Sequence, residues 1–280
     1  MNRRPVRPAP PIVLVFSAND PSGGAGIEAD LLTVAALGCH PLPVITALTV
    51  QDTVGVGKVL AVDADCVEEQ ARAVLEDMRV AALKVGLAGS AENIRTIAGI
   101  AGDYPEIPLV VDPVLASGRG DDLVDDEMID GLREILIPQT TVLTPNSLEA
   151  RRLVERAGDN DIQTLEACAQ ALLELGCEYV LLTGTHDNTA RVVNRLYERG
   201  LGLLRSDDWD RLPGSYHGSG CTLASAVAAH LARGLAVDDA VRAAQDYTWR
   251  TLAAGFRPGM GQIIPDRLFS THPYRGGLDA

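Results

Sequence analysis

Short apolar runs alternate along the chain with longer segments whose apolar residues recur at helical spacing. The short runs predict buried strands at 12–17, 43–48, 82–87, 108–112, 141–144 and 179–183. The longer segments predict helices that begin near 27, 65, 91, 126, 147, 164, 220 and 238. Strands that are apolar on both faces and separated by helices are typical of a parallel sheet covered on both sides. The pattern therefore indicates an α/β fold, with a late antiparallel pair of strands within 191–206.

Two predicted helices carry capping signals at their starts. Asp65 and Glu68 have the spacing of a capping box, and Ser90 directly precedes the helix that carries Ile94. Lys84 falls inside a predicted buried strand, so we expect it to form an ion pair, although the sequence does not identify the partner. In sheets of this kind ligands bind beyond the carboxyl ends of the strands, so we expect functional residues in the loops that follow them.

The chain shows no internal repeat and no Ser/Gly-rich linker, so residues 12–280 are predicted to form a single domain. Residues 1–11 are rich in Pro and Arg and are predicted to be a disordered tail. The apolar run after this tail is about seven residues long, at the lower edge of the apolar region of a signal peptide. We expect that run to be the first strand rather than an export signal.

Composition and charge narrow the range of partners. The net charge of −14 argues against nucleic acid and anionic membranes, because binding to either needs clustered Lys and Arg. The sequence holds no uncharged apolar run of the roughly 18 residues that would indicate a membrane-spanning helix. The five cysteines lack C-x-x-C spacing, and scattered free thiols favour a reducing, cytoplasmic location.

The segment "HGSGCTLASA" (217–226) places glycines at the head of an apolar helix. The first amides of a helix have no intrahelical partner and carry the positive end of the helix dipole. Gly218, Ser219 and Gly220 are therefore predicted to form an anion cradle suited to a phosphoryl group. A thiol at this position should have a lowered pKa, so Cys221 is a candidate base or anionic partner. The alternative is an ordinary tight turn followed by a buried cysteine.

Two further loops carry candidate chemistry. "SANDPSGGAGIEAD" (17–30) follows the first strand and is glycine-rich, but it matches neither a dinucleotide-binding fingerprint nor a Walker loop. Asp20 in this loop should project towards the ligand crevice. In "TPNSLEA" (144–150), Asn146 and Glu149 share one face of a helix start and could organise water around Mg²⁺. The alternative for these two residues is an ordinary N-terminal cap.

These segments together resemble the hydroxymethylpyrimidine/phosphomethylpyrimidine kinases of thiamine biosynthesis, within the ribokinase-like superfamily. The resemblance rests on "DPSGGAGIEADLLTVAALG", "VITALTVQDTVGV", "VVDPV", "LTPNSLEA" and "HGSGCTLASA", which occur in order between about 12 and 255. It implies a three-layer sandwich with a mostly parallel central sheet and helices on both faces. It also implies ATP-dependent phosphorylation of 4-amino-5-hydroxymethyl-2-methylpyrimidine and then of its monophosphate, with Mg²⁺, in a protein that is commonly a homodimer.

The resemblance assigns expected roles to individual residues. Gln51 should hydrogen-bond the aminopyrimidine, in a pocket that is also expected to include Asp20, Val85, Leu87 and Asp112. Gly218, Ser219 and Gly220 should form the anion hole beside Cys221, the candidate base. On the nucleotide side we expect Thr183, Gly184, His186 and His217. Asn146 and Glu149 should hold Mg²⁺ through water.

Three positions depart from the family pattern. Thr183 stands where the family usually has a lysine, so another cation, for which Arg119 is the candidate, could take its place. Ala18 replaces a glycine, and Leu87 replaces a methionine of similar volume. Two alternatives remain open at this point: a pyridoxal kinase on the same fold, and a non-catalytic pyrimidine-binding homologue.

Overall fold

A computed structural model describes residues 8–116, 120, 122–155, 164–185 and 189–271. The predicted tail at 1–11 therefore falls mostly outside the described residues, as do His186 and Arg119. The described strands are β1 (Ile12–Asn19), β2 (His40–Gln51), β3 (Val56–Ala61), β4 (Val80–Val85), β5 (Leu109–Val111), β6 (Val142–Leu143), β7 (Tyr179–Leu182), β8 (Arg191–Glu198) and β9 (Gly202–Asp210). The described helices are α1 (Gly26–Ala36), α2 (Ala64–Asp77), α3 (Ala91–Asp103), α4 (Asp126–Gly131), α5 (Ser147–Glu155), α6 (Leu165–Glu174), α7 (Ser219–Ala232) and α8 (Val237–Ala253).

These strands form one sheet in the order β3-β2-β1-β4-β5-β6-β7-β8-β9. The six strands from β2 to β7 in this order are parallel, whereas β3, β8 and β9 are antiparallel to their neighbours. The nine described strands of this sheet span residues 12 to 210. Most of its parallel strands end at one edge, where the candidate loops begin.

Helices cover both faces of the sheet. On one face α2 to α6 pack on a large aliphatic core that includes Phe16, Ile94 and Leu153. On the other face α1, α7 and α8 pack on a second core that includes Val15 and Val227. The predicted three-layer sandwich with a mostly parallel sheet is therefore confirmed. Within the part of the chain that is described, no helix combines the length and the apolar character needed to cross a bilayer.

Local details differ from the sequence predictions at three places. The capping box was wrong, because Asp63 caps α2 by accepting from the Asp65 amide at 3.1 Å, while Glu68 pairs with Arg72. Strand β3 was not predicted, since most of its residues are exposed at the sheet edge and show no clear apolar alternation. The helix expected at 126–136 ends as α4 at Gly131 and continues as a wider π-helical turn.

The partner of Lys84 is Asp30, on α1. Both Asp30 carboxylate oxygens lie 2.8 Å from the Lys84 Nζ atom, and both side chains are fully buried. Ser225 on α7 donates a further hydrogen bond to Asp30. The ion pair therefore links the sheet to the two helices whose starts carry the candidate loops.

Replacing Lys84 with methionine should destabilise the fold strongly, because Asp30 would remain buried without its countercharge. We expect the free energy of unfolding to fall by about 3–5 kcal/mol in urea denaturation. The matched control is Arg72→Met, which removes an exposed ion pair with Glu68 and should cost less than about 1 kcal/mol. Equal losses for both variants would contradict this account of the buried pair.

Candidate active site

The head of α7 presents unpaired backbone amides. Gly218 is the N-cap residue with φ of +79°, and α7 begins at Ser219. Within the described residues, none of the amides of residues 218–221 donates a hydrogen bond to another protein group. Gly218 and Ser219 are half-buried and Gly220 is exposed. These amides can therefore receive an anion, as the sequence predicts.

The glycine turn of residues 22–26 packs directly against this helix start. A Cβ atom built on Gly218 would lie 1.9 Å from the Gly24 carbonyl oxygen, a distance that no real side chain tolerates. A Cβ atom on Gly24 would likewise meet the His217 ring at 2.3 Å. Glycine at both positions therefore allows the two backbones to touch.

Cys221 lies between the starts of two helices. Its sulfur accepts a hydrogen bond from the Gly26 amide of α1, and its thiol donates to the Asp112 carboxylate. Part of the residue surface is exposed, but the burial of the thiol raises its pKa to about 12. The expected lowering of the thiol pKa was therefore wrong. The charge of Lys84 and the Gly26 hydrogen bond favour the thiolate, yet the loss of hydration outweighs them.

Two acidic side chains near this site have raised pKa values: Asp112 stands beside Cys221, and Glu149 stands beside Asp112. Burial, with the charge of Asp30 adding to it, raises the pKa of Asp112 to about 6, although Lys84 opposes the shift. Burial and the charge of Asp112 raise the pKa of Glu149 to about 8. A Cβ atom on Gly220 would lie 3.4 Å from an Asp112 oxygen, so this carboxylate borders the anion cradle. Asp112 was expected to line the substrate pocket, and the structure places it between the cradle and Glu149.

Asn146 and Glu149 form a reciprocal cap at the start of α5. Asn146 Oδ1 accepts from the amides of Leu148 and Glu149 at 2.9 and 3.0 Å, and Glu149 accepts from the Asn146 amide at 2.9 Å. The capping alternative is thus confirmed for both residues. The Asn146 oxygen already accepts two hydrogen bonds. Of the two residues, Glu149 is therefore the better candidate for binding a ligand.

Asp20, His217 and Gln51 come together on the other side of the glycine turn. The His217 Nε2 atom lies 2.8 Å from Asp20 Oδ2 and 3.1 Å from the Gln51 side-chain nitrogen. Burial alone would raise the Asp20 pKa, but hydrogen bonds from His217, Ser22 and Ala25 lower it to about 2. Asp20 therefore does not project freely into the crevice; its carboxylate holds the glycine turn.

The structure groups His217 differently from the sequence prediction. His217 was expected on the nucleotide side, but it lies against Asp20 and Gln51, the residues expected to bind the pyrimidine. Val85 and Leu87 were also expected in that pocket. Their side chains belong instead to the aliphatic core, with exposed fractions of 0% and 8%. The burial of these two side chains depends on the helices that cover the completed sheet, so a short sequence motif does not predict it.

Thr183 and Gly184 follow β7 and lie beside the start of α5. The Thr183 amide donates to the Pro145 carbonyl at 2.9 Å, and the Gly184 amide donates to Asn194 Oδ1 at 3.1 Å. Arg211 reaches the same loop and donates to the Thr185 carbonyl at 2.8 Å. Arg211 was not predicted from the sequence, because no motif near position 211 indicates that its side chain contacts this loop.

Comparison with known proteins settles the family. Residues 20–266 match the family model described as phosphomethylpyrimidine kinase. The chain belongs to this family. A hydroxymethylpyrimidine/phosphomethylpyrimidine kinase of Mycobacterium tuberculosis is 41% identical over 96% of this chain and 99% of its own length. The protein of that name from Streptomyces coelicolor is 39% identical over 90% and 92%. The protein is therefore a kinase, as the motifs predict.

Solved structures of related kinases share the fold. A phosphomethylpyrimidine kinase of Clostridium difficile is 33% identical, with a TM-score of 0.71, over 85% of this chain and 97% of that one. A pyridoxal kinase of Bacillus subtilis, solved as an ADP complex, is 26% identical, with a TM-score of 0.84, over 94% and 100%. The pyridoxal kinase has the higher TM-score but the lower sequence identity. Its similarity to this chain is therefore mainly structural.

Proposed function

We propose that this kinase transfers the γ-phosphoryl group of ATP to the hydroxymethyl group of 4-amino-5-hydroxymethyl-2-methylpyrimidine, and then to its monophosphate, in thiamine biosynthesis. One observation carries the proposal: unpaired amides of residues 218–221 stand beside Asp112, and the Gln51–His217–Asp20 group adjoins them through His217, the residue before Gly218. The first group suits a migrating phosphate and the second suits a flat ring with an amino group. The names of the curated relatives agree with this substrate.

The cradle would act chiefly by positioning and by stabilising charge. Phosphoryl transfer passes through a loose transition state with charge spread over the equatorial oxygens, and preorganised amides lower its energy. The substrate hydroxyl loses its proton late in such a reaction, so a modest base is enough. We propose that Gly218, Ser219 and Gly220 provide the anion hole in which this charge develops.

The proton path involves two residues. A thiol with a pKa of about 12 is not a base by itself, but it donates a hydrogen bond to the Asp112 carboxylate. We propose that the substrate hydroxyl passes its proton to the Cys221 sulfur as the thiol proton moves to Asp112. The net change is one proton transferred from the hydroxyl to Asp112, while the hydroxyl oxygen bonds to the γ-phosphorus and the bond from that phosphorus to the β–γ bridging oxygen breaks, so that ADP leaves with the bridging oxygen.

Glu149 fits a magnesium ion that binds through water. Its ionisation is disfavoured by burial, and the charge of Asp112 raises its pKa further. A divalent cation near Glu149 would relieve this cost, and carboxylate oxygens are ligands that Mg²⁺ prefers. Among the described side chains, no three His, Cys, Asp or Glu residues are grouped to hold a metal. Bound beside Glu149, Mg²⁺ would supply positive charge to the phosphates.

The nucleotide would lie over the loop that begins at Thr183. The Gly184 amide donates to Asn194, and the Thr185 carbonyl accepts from Arg211, so these two residues of the loop are held in place. We propose that Arg211 contributes the positive charge for which the family lysine is missing at Thr183. Arg119, the candidate cation, and His186, which was expected on the nucleotide side, lie outside the described residues.

A homodimer is part of the proposal. Leu48 on β2 and Leu60 on β3 are cross-strand neighbours at the sheet edge, and both are exposed. Covering such apolar surface in a second copy would be favourable. Sedimentation at the mass of two chains is expected, and a monomeric mass at micromolar concentration would contradict the dimer.

Gln51→Ala should weaken pyrimidine binding selectively. Losing hydrogen bonds to the ring should raise the KM for the pyrimidine about ten- to a hundred-fold, since each is worth roughly 0.5–1.5 kcal/mol or more. The KM for ATP should stay close to wild type. Steady-state kinetics with each substrate varied in turn measures both constants. The control is Gln170→Ala, an exposed glutamine on α6. Equal losses for both substrates would remove Gln51 from the ring pocket.

The substrate assignment is tested by kinetics with two alcohols. We expect kcat/KM for the hydroxymethylpyrimidine to exceed that for pyridoxal by at least tenfold at saturating ATP. A preference for pyridoxal would overturn the assignment and favour a pyridoxal kinase. Pyrimidine binding in calorimetry without any ATP turnover would instead indicate a non-catalytic binder.

A further inference from the structure

Arg267 is a buried arginine whose hydrogen-bond partners are all uncharged oxygens. It is only 2% exposed. Its Nη2 atom donates to the Gly24 carbonyl at 2.5 Å and to the Gly218 carbonyl at 3.4 Å. Its Nε atom donates to the Thr222 hydroxyl at 3.0 Å, and Nη1 reaches the Gly23 carbonyl at 3.4 Å. One guanidinium therefore joins the glycine turn to the head of α7.

No carboxylate of the described chain lies within ion-pair distance of Arg267. Burial lowers its pKa, while the negative groups around it, including Cys221 when ionised and Asp30, oppose that shift. An arginine nevertheless stays protonated in proteins. Its positive charge is therefore held close to the anion hole without a neutralising partner in contact, which is costly and unusual for a buried ion.

The contact with Gly218 acts on the anion hole through the peptide bond. The Gly218 carbonyl and the Ser219 amide belong to the same planar peptide unit, which is trans because the described chain has no cis bonds. In a trans unit the C=O and N–H groups point in opposite directions. Donation to the carbonyl from one side polarises the unit and strengthens the amide as a donor on the other side. The Gly218 carbonyl also accepts from the Thr222 amide at 3.0 Å and from the Thr222 hydroxyl at 2.8 Å, so Arg267 adds its charge to a peptide that is already polarised towards the proposed phosphate.

The position of Arg267 is set by the segment of residues 255–267, which contacts the turn after Gln51 and the residues just before α7. The Gln262 amide donates to the Thr53 carbonyl at 2.8 Å, at the turn that follows Gln51. The His217 amide donates to the Ile263 carbonyl at 2.9 Å. The Tyr247 hydroxyl of α8 donates to the Arg267 carbonyl at 2.7 Å. The guanidinium is therefore held in place from both ends.

We propose that Arg267 is a positioning residue for phosphoryl transfer. It locks the glycine turn onto the start of α7 and polarises the Gly218–Ser219 peptide, so that the anion hole favours the transition state. This inference rests on the proposed kinase function. Arg267 does not touch the substrate; it acts through the backbone.

The test compares Arg267→Met, Arg267→Lys and the wild-type chain. Methionine keeps an apolar stem without charge, so kcat should fall about a hundredfold, the order of an anion-hole donor lost. The KM for ATP should stay within about threefold. Lysine restores the positive charge but lacks the planar guanidinium that contacts both the Gly24 and the Gly218 carbonyls. The kcat of Arg267→Lys should therefore lie between those of Arg267→Met and the wild type. Arg257→Met is the matched control, because Arg257 is exposed in the same segment and also donates to a carbonyl.

A second measurement separates positioning from a general loss of structure. Calorimetry gives the affinity for ADP and for ADP with fluoroaluminate, which mimics the transferring phosphoryl group. Arg267→Met should lose about a hundredfold of the preference for the mimic while its affinity for ADP is retained. Equal losses for both ligands, or a wild-type preference, would overturn the inference. If Arg267→Met does not fold, Arg267→Lys is tested by the same ratio, its affinity for ADP with fluoroaluminate divided by its affinity for ADP. A wild-type chain without kinase activity would instead refute the proposed function.

Discussion

Replacing Gly218 with alanine should reduce kcat/KM by more than about a thousandfold, beyond the loss of one anion-hole donor. The new Cβ atom would lie 1.9 Å from the Gly24 carbonyl oxygen and 2.8 Å from the Arg267 Nη2 atom. The φ of +79° at this position disfavours any side chain as well. The glycine turn and the start of α7 would have to separate, and the amides would then leave their positions. Steady-state kinetics with both substrates measures the loss.

Gly234→Ala is the matched control for the effect of the backbone angle. Gly234 follows α7 and has a φ of +85°, and a Cβ atom added there would have no heavy atom of another residue within 4 Å beyond its chain neighbours. It should lose roughly 1–2 kcal/mol of stability from the left-handed conformation, with kcat/KM close to wild type. If Gly218→Ala were folded and active within tenfold of wild type, the close contact between the two loops would have no role in catalysis.

Cys221→Ala should lower kcat by about a hundredfold or more, within the range for a group that moves a proton in the transition state. The KM values should change little, because the thiol donates to Asp112 and does not hold the ring. Asp112→Asn should lower kcat as well, and the double variant should lose less than the product of the single losses, since both residues serve one path.

Cys177→Ala provides the control for loss of a buried thiol. Cys177 is fully buried, donates to the Leu172 carbonyl, and its pKa is also raised to about 12 by burial. Its removal should affect stability and leave kcat unchanged. A near-normal kcat for Cys221→Ala would take that thiol out of the proton path, and Asp112 would have to act on the hydroxyl directly.

Local patterns predicted the parts of this molecule that depend on neighbours in sequence. The strand β1, the cap at Ser90 and the start of α7 all lie where the sequence placed them. Apolar runs, capping residues and glycines act over a few positions, so their structural consequences can be recognised without the fold. The loops at the carboxyl ends of parallel strands follow from the same reasoning.

Features that depend on distant contacts could not be predicted in this way. Arg267 and Gly24 are 243 positions apart in sequence, and no motif near either residue predicts their contact. The raised pKa of Cys221 has the same origin. The helix start favours a thiolate, but the residues that bury the sulfur come from several elements, and burial prevails. The contacts of His217 with Asp20 and Gln51 likewise exist only in the folded chain.

The central claim is that the amides at the head of α7 receive the migrating phosphate. Nitrogen-15 NMR of the labelled kinase tests it most directly, by following the backbone amides of Ser219, Gly220 and Cys221 during titration. These three signals should shift strongly when fluoroaluminate is added to the ADP-bound protein with Mg²⁺, and the Gly234 amide should not. Unchanged signals at residues 219–221, with the mimic bound, would contradict the account.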